Sequence, residues 1–162
     1  MRAVMLFVTG LVVGLGIHTV VAQGPNQGQG LVGMNHVMIR VPDMDKALAY
    51  YTQTLGFPEA FRVNDDQGRP RLVYVQISQN TFVELQTAGT NPAGMSHFGL
   101  HVEDMEKAVA TFKARGANVG PIRNSDTGAI LSNITDLNGI TIEMAELPDA
   151  SLHRQAMNRW NR

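Results

Sequence analysis

Cysteine is absent from the 162-residue chain. That absence excludes a disulfide framework, a thiolate metal site and a cysteine nucleophile together. An exported chain of this kind has to be held by its core, or by its core and a metal. Charge is scarce as well: charged residues make up 17%, and 13 Lys and Arg nearly balance 14 Asp and Glu, for a formal net charge of −1. No run of Lys and Arg interleaved with aromatics occurs, so nothing directs the chain to nucleic acid or to anionic lipid. Low-complexity sequence is confined to GPNQGQG, residues 24–30, whose composition marks a flexible spacer. A hydrophobic content of 44% is ordinary for a globular protein. The length fits one domain, or two small modules sharing a core.

Acidic residues are missing from the first 22 positions, MRAVMLFVTGLVVGLGIHTVVA, which hold one early Arg and a long apolar stretch. Val20 and Ala22 suit the −3 and −1 positions of a signal-peptidase site. The expectation is a secretory signal over 1–22, a linker over 23–32, and a periplasmic or secreted mature chain beginning near Gln23. The alternative is an uncleaved anchor over Ala3–Ala22, the only way this chain would engage a membrane; Gly10, Gly14, Gly16 and His18 make it a poor one.

What is present is one pattern written twice. GMNHVMIRVPD at 33–43 returns as GMSHFGLHVED at 94–104. Each copy predicts a strand, an Asp N-cap (Asp43, Asp104), an amphipathic helix and a Gly stop (Gly56, Gly116). The first helix stripe is Met44, Ala47, Leu48, Tyr51 and Leu55; the second is Met105, Ala108, Val109 and Phe112. Strands are expected near 60–63, 71–77 and 81–87, then near 118–122, 128–134 and 141–145, with DDQG, SQN and DLNG as turns. The fold class predicted is α+β. Two βαβββ modules, 33–90 and 91–147, join their sheets into a cup-shaped half-barrel whose concave face is open to solvent, with the helices outside. Residues 148–162 suggest a short C-terminal helix with Pro148 at its start, a strap packed on the body or on a second subunit, with His153, Arg154 and Arg159 on a solvated face.

Four residues carry the chemical expectation. His36 and His97 lie 61 residues apart at matching places in the two opening strands. Glu84 in FVELQ and Glu143 in TIEMA are lone acids in the closing strands. A buried, unpaired carboxylate costs several kcal/mol, so matched acids and imidazoles point to a shared counter-charge. Two imidazoles and two carboxylates suit Zn²⁺, Ni²⁺, Co²⁺, Mn²⁺ or Fe²⁺, not Cu(I) or Ca²⁺. Residue types alone leave the bland alternative open, since duplication also copies ordinary strand residues. Arg40 and His101 share the predicted inner face with the histidines, as substrate-binding groups or as rim residues; Gln86 and Asn133 have no assigned role.

The segments NHVMIRVPDMDKALAYYTQTLGF, SHFGLHVEDMEKAVATFKARGA and DLNGITIEM resemble the vicinal oxygen chelate superfamily, the glyoxalase, bleomycin resistance and dioxygenase group, and within it the glyoxalase I-like members. The resemblance covers about residues 33–147. It implies one divalent transition metal held by His36, Glu84, His97 and Glu143. It implies a lyase, isomerase or epimerase acting on a small molecule with vicinal oxygens through an enediolate, and Glu143 or else Glu84 as the base. It also implies a homodimer, with the cup built within one chain or by exchange of modules. An Fe-dependent dioxygenase and a non-catalytic binding protein are the alternatives. Export sits awkwardly with a glutathione substrate, which is mainly cytosolic.

Overall fold

The computed structural model describes residues 30–161, so the proposed signal at 1–22 lies outside the described residues. Strand β1 (Leu31–Val41) leads to helix α1 (Met44–Ala49), which runs on into one π-helical turn, Tyr50–Thr54. Strands β2 (Glu59–Asn64), β3 (Pro70–Ser78) and β4 (Thr81–Thr87) complete the first module. The second comprises β5 (Gly94–Val102), α2 (Met105–Ala114), two short strands β6 (Asn118–Val119) and β7 (Arg123–Asn124), then β8 (Ile130–Thr135) and β9 (Thr141–Glu146). A last helix, α3 (Leu152–Asn158), follows.

All nine strands form one unclosed sheet in the order β2-β3-β4-β1-β5-β9-β8-β6, with β7 also on β8. The modules meet where β1 and β5 pair antiparallel, and each flanks that seam with a parallel partner, β4 on β1 and β9 on β5. The architecture is therefore the α+β cup expected, assembled within a single chain. Both outer helices begin as the sequence predicts. Asp43 accepts from the Lys46 N–H at 3.0 Å and Asp104 from the Lys107 N–H at 2.9 Å. Each satisfies a backbone donor that the first turn leaves unpaired.

Alternation along the strands sorts the core into layers. Val73, Val75, Val83 and Leu85 face outward against Met44 and, in part, Ala47, Leu48 and Tyr51 of the first helix. Val102, Ile134 and Met144 do the same for Met105, Ala108 and Val109 of α2. The inner face carries a third cluster, in which Phe61, Leu72, Tyr74 and Phe82 meet Ala145, Leu147 and two α3 residues, Ala156 and Met157.

Three expectations need correction. The stripe on the first helix does not reach Leu55, which is 42% exposed. The π-helical turn, closed by Leu55 N–H to Tyr50 C=O at 3.0 Å, adds a residue to the last turn and rotates that position off the core. Phe57 takes its place against the cluster. The concave face is not open throughout, because α3 lies on it. Accordingly His153 is buried at 3% exposure rather than solvated. Nor does Pro148 start this helix; Ser151 caps it, accepting from the Arg154 N–H at 3.2 Å.

Candidate metal centre

Strand register brings the four sequence-predicted residues together at the seam. His36 on β1 stands opposite Gly99 on β5, and Met38 stands opposite His97. Glu84 pairs with Met38 from one side, and Glu143 pairs with Gly99 from the other. The side-chain tips converge. His36 Nε2 lies 3.1 Å from His97 Nε2, 3.5 Å from Glu84 Oε2 and 3.6 Å from Glu143 Oε1. His97 Nε2 lies 4.0 Å from Glu143 Oε1. His36, Glu84 and His97 form the tightest group, with ligand atoms within 4.8 Å of one another.

Gly99 is what lets His36 reach this point. A Cβ on residue 99 would stand 2.2 Å from Cε1 and 2.3 Å from Nδ1 of the His36 ring. The imidazole therefore lies flat across the β5 backbone, where only hydrogen fits. The ring is oriented by a neighbour that sequence reasoning missed. Asn35 is fully buried, and its Oδ1 lies 3.0 Å from His36 Nδ1. Nδ1–H donating to that amide oxygen leaves Nε2 with a free lone pair aimed at the cluster. Adjacent residues of a regular strand point to opposite faces, so strict alternation hides this pair. A bulge between Met34 and His36 in the β1–β5 register breaks the alternation.

Burial dominates the electrostatics. It holds the His36 imidazole down to about 3, with His97 and His153 adding to the effect. It holds His97 down to about 4, helped by Arg40 and Arg123. Both rings are thus neutral, the state a metal ligand needs. Burial pushes Glu84 up to about 7; a hydrogen bond with the Tyr74 hydroxyl opposes this and nearby Glu143 reinforces it. Glu143 is also raised by burial, against the pull of Arg123, whose Nη2 donates to Glu143 Oε2 at 2.8 Å.

His36 Nε2 and His97 Nε2 lie 3.1 Å apart with two carboxylates beside them, and one cation among them would satisfy all four groups. Atoms bound about 2.1 Å from one centre lie about 3.0 Å apart at right angles and about 3.4 Å apart at tetrahedral angles. Separations of 3.1, 3.5 and 3.6 Å lie close to that shell, and the 4.0 Å between His97 and Glu143 is wider. The residues present therefore fit a divalent transition metal, and a mixed set of imidazole nitrogens and carboxylate oxygens is the right chemistry for one.

The centre opens into a cavity of about 300 Å³ lined by the four cluster residues and by Tyr74, Arg71, Arg123, Gln86 and His153, among others. Arg71 pairs with Asp126 across its mouth. Arg40 and His101 are not among the lining residues. Arg40 lies beyond His97 with its Nε buried and unpartnered, and His101 is buried near His153 and Arg154, beneath α3. Asn133 stands beside Glu143 in the register, but the lining does not include it either.

Comparison with known proteins gives a consistent picture. Residues 33–144 match the family described as Glyoxalase/Bleomycin resistance protein/Dioxygenase superfamily. The chain is 31% identical over 128 residues, 70% of its length, to an Arabidopsis thaliana protein described as "Probable lactoylglutathione lyase, chloroplastic", and spans 35% of that protein. It spans 43% of a second Arabidopsis thaliana lactoylglutathione lyase. It is 26% identical over 130 residues to the lactoylglutathione lyase of Salmonella typhimurium, covering 71% of this chain and 93% of that one. In fold it is similar to methylmalonyl-CoA epimerase from Mycobacterium tuberculosis, with a TM-score of 0.64 and 20% identity over 77% of this chain and 94% of that one.

Proposed function

The chain belongs to the Glyoxalase/Bleomycin resistance protein/Dioxygenase superfamily, and from that premise we propose that it is a metal-dependent, glyoxalase-like lyase, isomerase or epimerase. Its substrate is a small molecule with two adjacent oxygens. The observation that carries this reading is the gathering of His97, Glu84 and Glu143 within 3.6 Å of His36 Nε2 at the sheet seam. His36, His97, Glu84 and Glu143 would hold the ion. When bound, such an ion supplies a Lewis acid for a substrate carbonyl and acidifies the neighbouring C–H.

The chain's own residues divide the remaining work. Asn35 holds the His36 tautomer. Arg123 clamps one oxygen of Glu143, which opposes the upward push of burial and holds that carboxylate in place. Glu84 meets the Tyr74 hydroxyl and His36 Nε2 without a guanidinium clamp, and burial raises its pKa to about 7, where a general base is most effective. We therefore assign the proton transfer to Glu84, reversing the preference for Glu143 that the resemblance suggests. The reason is the Arg123 clamp, which sequence does not reveal.

The test is elemental analysis followed by exchange. Protein reconstituted with Co²⁺ or Ni²⁺ is expected to hold about one ion per chain and to exchange the C3 hydrogens of hydroxypyruvate with D₂O. Glu84→Gln is expected to lower exchange about 100-fold or more. Absence of any bound transition metal contradicts the reading and favours a binding module. A second reading draws on the tight His36–Glu84–His97 group, since two histidines and one carboxylate with open positions are the ligands of non-haem Fe(II) oxygenases. Substrate-dependent O₂ consumption by the Fe²⁺-loaded protein supports that alternative. Export rests on the leader at 1–22, and N-terminal sequencing of the mature protein tests it; sedimentation tests the homodimer that the family suggests.

A further inference from the structure

Helix α3 occupies ground that an open cup would leave to a ligand. Phe82 and Glu84 alternate on the same face of β4, and His36 pairs with Phe82. The surface covered by Ala156 and Met157 is therefore continuous with the metal centre. The helix is fastened at several points. Leu152 N–H donates to Thr127 C=O at 2.8 Å, and Arg154 Nε donates to Leu147 C=O at 3.2 Å. Gly128 packs so closely on Ser151 that a Cβ there would lie 3.3 Å from the Ser151 Cα. The turn thus locked to α3 carries Asp126, the partner of Arg71 across the cavity mouth.

The space left is about 300 Å³, at the lower end of the roughly 300–1,000 Å³ usual for ligand sites. The formal charges lining it are three carboxylates, Glu84, Glu143 and Asp126, against two guanidinium groups, Arg71 and Arg123, and imidazoles that hold a metal are neutral. A divalent ion turns that single negative excess into a single positive one. The wall facing His36 is His153, packed edge-on against Phe61 and Tyr74 with ring centroids 4.8 and 4.7 Å away. Neither His153 nitrogen has a partner in the protein. A buried polar group left so is costly, and a turn of the ring towards a ligand oxygen in the cavity would relieve it.

Resting on the metal-centre reading above, we propose that α3 confines this site to a compact monoanion with vicinal oxygens, of the 2-hydroxy- or 2-oxo-acid class, and that His153 is the specificity-determining residue which meets it. Bulky thioesters and glutathione conjugates are shut out of the inner cup. The class follows from the charge excess and the small volume, and the vicinal oxygens from the chelating centre.

The experiment compares lactate, lactamide and S-lactoylglutathione, which share the lactoyl group, on the Co²⁺-loaded full chain, read by the visible absorption of the ion. Lactate is expected to shift the bands, with lactamide and S-lactoylglutathione each at least about 30-fold weaker. His153→Phe keeps the aromatic wall. It is expected to retain the cobalt spectrum and thermal stability while weakening lactate about tenfold, the worth of one hydrogen bond. S-lactoylglutathione binding as tightly as lactate overturns the size limit, and lactamide doing so overturns the charge argument. Unchanged lactate affinity in a folded His153→Phe removes His153 from the site. Failure to take up Co²⁺ at all overturns the metal-centre reading, and this inference with it; normal uptake with any of the other adverse results overturns this inference alone.

Discussion

Gly99 illustrates how much one missing side chain contributes. Its φ is unremarkable; what matters is the 2.2 Å that a Cβ would leave to the His36 ring. Gly99→Ala is expected to cost about 1–3 kcal/mol by overpacking. Because the ring must move, it should also weaken metal binding well beyond what that stability loss suggests, as a Zn²⁺ titration would show. Asn35→Ala leaves the ligands in place but frees the His36 tautomer. Second-shell losses of this kind run to about 10–100-fold in metal affinity. His153 gives a pH signature in metal-free protein. Burial holds it down to about 3 when folded, against 6.5 for the free group. Between those values the unfolded chain binds the extra proton. The stability contributed is therefore present above pH 6.5 and lost as pH falls towards 3. His36 and His97 act in the same direction, and Glu84, raised to about 7, acts in the opposite one between 4.5 and 7. His153→Phe is expected to flatten the acid limb of a urea-denaturation series by at most about 1.4 kcal/mol per pH unit.

At the scale of elements, the regular parts were legible and the irregular parts were not. Asp43 and Asp104 announced the two outer helices, and β4 runs over the residues expected, because caps and alternation are local signals. The π-helical turn at Tyr50–Thr54 and the bulge before His36 each insert a residue that no period reveals. The candidate metal residues stood out because a lone acid or imidazole in an apolar strand is conspicuous. Arg123 did not, since it lies on a two-residue strand in the gap between the strands expected at 118–122 and 128–134. The face of α3 that carries His153 was misjudged for a different reason. Seven residues with His153 and Arg154 among them look amphipathic towards solvent, and only the tertiary fold supplies the aromatic floor of Phe61, Tyr74 and Phe82 that buries one of the two. Met157 is anchored in that floor at 6% exposure. Met157→Ala is expected to cost about 2–5 kcal/mol in chemical denaturation. Asp126→Ala, which breaks the exposed pair with Arg71, should cost less than about 1 kcal/mol.

For the whole molecule, the cup is a device for bringing distant parts of one chain to one point. His36 and Glu84 come from the first module, and His97 and Glu143 from the second, so all four candidate ligands belong to one chain. An ion bound there ties the modules together across their seam. At free metal about 1,000-fold above its Kd, the folded state gains about 4 kcal/mol. For a chain of this size that corresponds to a rise in Tm of about 10 °C. His97→Ala is expected to abolish that rise. The most direct measurement is a crystal of the Co²⁺-loaded protein with diffraction recorded at the cobalt absorption edge. One anomalous peak per chain, within about 2.0–2.3 Å of His36 Nε2, His97 Nε2, Glu84 and Glu143, is the predicted result. A peak elsewhere, or none after loading, contradicts the account.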